Sequence, residues 1–145
     1  MPPNDPPPLV DLAFVYGTLL PGIPGSRFAL LSPALPVAEG VIQARLYNLG
    51  SYPGAVRSEL PGDRVLGTLF RLQNPAEALP RMDRYEGYLP GDPEGCEFRR
   101  ELATVELPGE RRSLQAWVYY YTLPVGGLPR IEGGDYRTFV ASPRG

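Results

Sequence analysis

The chain has no histidine, and because all 14 of its basic residues are arginine it has no lysine either. Those two absences exclude a good deal of chemistry. Without histidine there is no Ser–His–Asp triad, no Cys–His nucleophile pair and no His-ligated zinc. Without lysine there is no Schiff-base chemistry and no phosphate-binding loop of the lysine type. A single cysteine, Cys96, rules out an internal disulfide and fits a cytoplasmic location. Lacking a histidine partner, Cys96 reads as an incidental thiol. No apolar run approaches the roughly 20 residues that a membrane helix needs. The start, MPPNDPPPL, has neither the basic residues nor the apolar core of a signal peptide. A net charge of -2 gives no electrostatic reason to expect a nucleic acid or an anionic membrane as partner. Any acid–base chemistry therefore falls to Asp, Glu, Tyr or Cys.

What is present is ordinary for a globular chain: 145 residues, 43% hydrophobic and 21% charged, enough for one domain with a real core. The prolines of residues 1–11 predict an extended, mobile tail, with the domain occupying 12–145. Residues 12–17 (LAFVYG) are short, apolar and β-prone, and read as a buried strand. Residues 18–36 are rich in Pro and Gly and read as a loop. Residues 40–47 alternate, with Ile42, Ala44 and Leu46 on one face and Gln43 and Arg45 on the other. Further strands are expected near 54–58 and at 64–72, 98–107 and 114–121. The last of these is apolar on both faces, as a central or barrel strand would be.

One helix is predicted over 75–86. Asn74 is a suitable cap, Pro75 suits the first helical position, and Glu77 completes a capping-box spacing. Pro80 lies past the first turn and is expected to kink or shorten the helix. The sum is an α+β fold: a small closed or nearly closed mixed β-barrel of about six strands, with one or two short helices.

Three stretches could carry chemistry. FVYGTLLPG (14–22) ends a strand on a glycine turn. Such a turn either lets the chain bend where a side chain would clash, or presents backbone N–H groups to an anion or a carbonyl oxygen. MDRYEGY (82–88) puts Asp83 and Glu86 three residues apart on one face at the end of the helix. The helix dipole there disfavours ionisation slightly, which suits either a solvated helix end or a carboxyl tuned for proton transfer. SYPG (51–54), within LGSYPGAV (49–56), reads as a turn.

Taken in order, these stretches resemble the γ-glutamylcyclotransferase-like family, the small-barrel proteins that include the plant avirulence-induced and γ-glutamylamine cyclotransferase branches. FVYGTL is similar to that family's first strand and substrate loop, and LGSYPGAV to its second loop. VLGTLFRL (65–72) followed by MDRYEGY is similar to its strand, helix and catalytic acid. GGDYRTFV (133–140) is similar to its C-terminal ending. The resemblance implies that Glu86 is the catalytic carboxylate and that Tyr16, Gly17, Thr18 and Leu19 bind substrate. It places Tyr52, Pro53 and Gly54 opposite, with Tyr119 as a barrel-lining contact. Asp83 would be structural, facing the loop. The implied reaction converts a small γ-glutamyl compound to 5-oxoproline and a free amine without cofactor or metal, an activity of transferase or lyase type. The 21–36 loop and LPGDPEG (89–95) would frame the mouth and select the leaving group. Two alternatives stand beside it: a different enzyme on the same scaffold, and a non-catalytic barrel that binds a small molecule or a partner.

Overall fold

The computed structural model describes residues 9–89, 91 and 95–141. The prolines of the predicted tail at 1–8, and Pro90 and residues 92–94 of the 89–95 stretch, lie outside the described residues. Seven strands form: β1 (Leu12–Val15), β2 (Ala34–Ile42), β3 (Ala44–Asn48), β4 (Pro53–Arg57), β5 (Val65–Leu72), β6 (Phe98–Leu107) and β7 (Arg112–Tyr121). The helices are α1 (Pro75–Glu86) and α2 (Tyr136–Ala141), with a short 3-10 turn at Phe28–Leu31. No helix among the described residues is long and apolar enough to cross a membrane.

The strands run in the order β1-β5-β2-β6-β7-β4-β3, and β1 also pairs with β7. That extra pairing closes β1, β5, β2, β6 and β7 into a five-stranded mixed barrel, with β4 and β3 continuing outside it along β7. Alternation divides the core in two. Leu12, Phe14 and Tyr16 pack with Val65, Leu69, Val105, Val118 and Tyr120, while Ala13 and Val15 pack beneath α1 with Phe70, Leu72, Leu79 and Met82. With protein on both faces, β1 and the end of β7 have no need of polar residues. Gly67 makes room in the barrel, since a Cβ there would collide with the Val15 carbonyl and the Phe14 ring.

Helix α1 starts at Pro75 and stops at Gly87, whose left-handed backbone (φ 72°) suits a residue without a Cβ. The capping box does not form: the Asn74 amide donates to the Glu77 side chain instead of either side chain capping the backbone. Pro80 lies inside the helix without ending it. The helix is held by its buried face, Ala78, Leu79, Met82 and Asp83. Full burial of a Leu or Met side chain contributes roughly 1.5–3 kcal/mol, comparable to the cost of about 3 kcal/mol for an interior proline.

Two further expectations are corrected. The single strand expected over 40–47 is the end of β2 and the start of β3, because the chain breaks between them at Gln43. The expected 18–36 loop gives way to strand from Ala34, where Pro36 is tolerated at an irregularity in the β2–β5 register.

Candidate active site

One cleft brings together most of the predicted residues. It has a cavity volume of about 170 Å³ and is walled by the end of β1 and its loop (Phe14 to Leu19), by Tyr52 and Pro53, by Tyr85 and Glu86, by Glu97 and Phe98, and by Tyr119. The C-terminal turn of α1 presents Tyr85 and Glu86. Loop and helix are tied at the rim by a 2.7 Å hydrogen bond between the Thr18 and Tyr85 hydroxyls.

The loop folds back through a turn in which the Leu20 N–H donates to the Gly17 carbonyl at 2.9 Å. The Gly17 φ is not in the left-handed region; the position requires glycine because a Cβ would sit 2.8 Å from Pro53 Cγ. Among the described residues, the N–H groups of Gly17, Thr18 and Leu19 reach no protein acceptor. They are donors at the cleft wall, which is what the glycine turn offers an anion or a carbonyl oxygen.

Glu86 is the chemically distinctive group. The residue keeps intermediate exposure because its carboxyl borders the open cleft. Among the described residues that carboxyl has no hydrogen-bond or ion-pair partner. Burial, and secondarily the Glu97 carboxylate, push it up to about 8 from an ordinary 4.5. The cause is thus desolvation and a neighbouring like charge rather than the helix end. Such a carboxyl exchanges a proton near neutral pH.

The surrounding tyrosines are held as hydrogen-bond donors. The Tyr16 hydroxyl donates to the Tyr119 carbonyl at 2.6 Å and accepts from the Ala55 N–H at 3.1 Å. Burial first, then Glu86, raise its pKa above the ordinary value. Tyr52 donates to Glu97 Oε2 at 2.6 Å and is pushed up to about 12, chiefly by that bond. Tyr119 donates to Asp83 Oδ1 at 2.6 Å, and burial followed by that bond raises its pKa.

Asp83 does not face the loop as expected. Its side chain points to the sheet, where the Arg100 guanidinium donates to both carboxylate oxygens at 2.7 and 3.1 Å while lying 4.4 Å from the Trp117 ring centroid. Asp83 thereby fixes Tyr119, which stands on the α1 side of β7; Tyr120 is the neighbour that points into the barrel. Gly54 lies outside the lining. It packs under β7, where a Cβ would come within 2.9 Å of Tyr121 Cβ.

The sequence reading missed Tyr85 and Glu97. Tyr85 sits inside the MDRYEGY stretch, so adjacency to Glu86 was an available signal. Glu97 joins the cleft only because β6 and β4 flank β7 and bring their first residues together.

The closed barrel, and a cleft in which the Glu86 carboxyl has no partner among the described residues and faces a glycine turn, define a small-barrel protein with one chemically distinctive cleft. A family model described as gamma-glutamyl cyclotransferase, AIG2-like, matches residues 13–138, and the chain belongs to that family. It is 33% identical over 124 residues to the gamma-glutamylcyclotransferase family protein YtfP of Escherichia coli K12, covering 85% of this chain and 93% of the relative. The solution structure of ytfP from E. coli superposes with a TM-score of 0.56 at 31% identity, covering 86% of this chain and 95% of that one. A mouse aig2-like protein shares the fold, with a TM-score of 0.66 at 23% identity over 92% of this chain and 96% of that one.

Proposed function

We propose that the protein is a cyclotransferase that converts a γ-glutamyl amine or peptide into 5-oxoproline and a free amine, with Glu86 moving the proton. The observation that carries this reading is the Glu86 carboxyl, unpaired among the described residues and raised to about 8, in the same cleft as the free N–H groups of the 17–19 loop. The N–H groups hold the negative oxygens of the glutamyl part. Glu86, ionised, takes a proton from the substrate's α-ammonium. The freed amine attacks the γ-carbonyl carbon of the same molecule. Glu86 then returns its proton to the leaving nitrogen as the γ-carbon–nitrogen bond breaks, and the ring nitrogen gives up its second proton to the departing amine, which leaves as ammonium.

The ring closure is intramolecular, so folding the glutamyl chain into a near-attack shape supplies several kcal/mol of the barrier. The aromatic walls, Phe14, Tyr52 and Phe98, favour a folded chain over an extended one and exclude water. One carboxyl serves both proton transfers, so the reaction has no use for the missing histidine and lysine.

The test is a panel of γ-glutamyl amines and dipeptides assayed for released 5-oxoproline. Release from at least one donor, abolished by loss of Glu86, supports the reading. Tight binding of donors with no release by the wild type would instead favour a non-catalytic binding barrel.

A further inference from the structure

The reaction just proposed uses one carboxyl, yet the cleft holds two. Glu97 lines the same cleft, and among the described residues only its Oε2 is engaged, by the Tyr52 hydroxyl; Oε1 has no protein partner. No arginine is among the residues lining the cleft. Tyr52 is itself braced by its ring contact with Phe98, 6.1 Å between centroids. Glu97 is thus a carboxylate fixed at the cleft wall by Tyr52, with no cationic side chain among the described residues that line the cleft.

A substrate can supply that cation. On the reading above, the α-ammonium is engaged by Glu86 and the negative oxygens by the 17–19 N–H groups. The part of the donor that remains unassigned is the leaving amine. We infer that Glu97, held by Tyr52, is a specificity residue that selects donors whose leaving amine carries a second positive charge, such as a diamine joined to glutamate through one nitrogen. The apolar walls would otherwise favour a neutral alkyl chain, since moving a cation among aromatic rings costs desolvation that only a partner charge offsets. The like charge of Glu97 near Glu86 fits this arrangement, because a cation between them relieves the repulsion. The inference rests on the cyclotransferase reading.

The test compares two donors of equal length: the γ-glutamyl amides of 1,4-diaminobutane and of n-pentylamine. A charge-assisted hydrogen bond at Glu97 predicts kcat/KM higher for the diamine amide by about tenfold or more. Glu97→Gln should bring the ratio to within about twofold or turn it towards the pentyl amide, as the apolar walls then dominate. In the wild type the preference should shrink as salt is raised, since a half-exposed charge pair is screened. An unchanged ratio in Glu97→Gln overturns the inference. So does an equal loss on both donors, which would place Glu97 on the shared α-ammonium. Calorimetric titration of both amides into Glu86→Gln separates this from the function itself. If neither these amides nor any other donor of the panel releases 5-oxoproline, the cyclotransferase reading falls. The charge preference then stands only if the diamine amide binds more tightly and a further Glu97→Gln removes the difference; equal binding overturns it.

Discussion

Glu86→Gln should change how stability depends on pH. In the folded protein burial and Glu97 hold the carboxyl at about 8, against 4.5 for the ordinary side chain. Between those values the folded state keeps a proton that the unfolded state releases. Stability contributed by the neutral carboxyl is therefore complete below about 4.5, falls as pH rises, and is fully lost above about 8. At roughly 1.4 kcal/mol per tenfold change in proton affinity, the upper bound on that loss is about 5 kcal/mol. Because Glu86 borders an open cleft, water screens it, and about 2–3 kcal/mol is the working expectation. Glutamine has no proton to release, so the variant escapes the loss. For a chain of this size that is roughly 6–10 °C in Tm. Thermal unfolding of wild type and Glu86→Gln at pH 5, 7 and 9 measures it. Groups that do not interact with Glu86 are common to both proteins and cancel, so the difference reports Glu86 together with its neighbour Glu97. The gap should open in favour of the variant from pH 5 to pH 9. Parallel curves, or a gap that opens the other way, would refute a buried and destabilised carboxyl.

Three further outcomes follow from the geometry. Asp83→Asn leaves Arg100 largely buried without its charge partner and should cost about 3–5 kcal/mol in chemical denaturation, with a smaller effect on rate per folded molecule. Gly17→Val drives a side chain into Pro53 and displaces the loop; binding of glutamyl-like ligands, read by calorimetry, should weaken more than Tm falls, and the converse would make Gly17 a packing glycine only. The pH profile of kcat/KM should rise with unit slope to a midpoint near 8 as Glu86 ionises, and Glu97→Gln should move that midpoint down by removing the neighbouring charge.

Local signals were the legible part of the sequence. Asn74–Pro75 and Gly87 bracket α1 because proline and glycine act through the backbone wherever they stand, and the observed helix begins and ends where they predict. Strand β6 was equally plain because one of its faces is polar and the alternation survives. Contacts between distant strands left weaker traces. Nothing near Ala34 marks the start of β2, since Pro33 and Pro36 punctuate the very residues that pair with β5. The chain reads Gly54 and Gly17 alike, yet one packs beneath Tyr121 and the other borders the cleft. Glu97 follows a glycine-rich stretch with no motif of its own. Its partner Tyr52 is 45 residues away, and only the placement of both beside the end of β7 brings them together. Asp83 and Glu86 were visible as a pair, but not their division of labour: one carboxylate turned to Arg100, the other left alone.

That division is the central claim, and 5-oxoproline release tests it most directly. On the best donor of the panel, rates are compared for wild type, Glu86→Gln and Asp83→Asn, each confirmed to be folded. Loss of a general acid–base predicts a fall of about 10²–10⁴-fold for Glu86→Gln, on the order of 3–5 kcal/mol of barrier, with binding reduced far less. Asp83→Asn should retain most of its turnover. Equal rates for wild type and Glu86→Gln, or an inactive Asp83→Asn beside an active Glu86→Gln, would contradict the account.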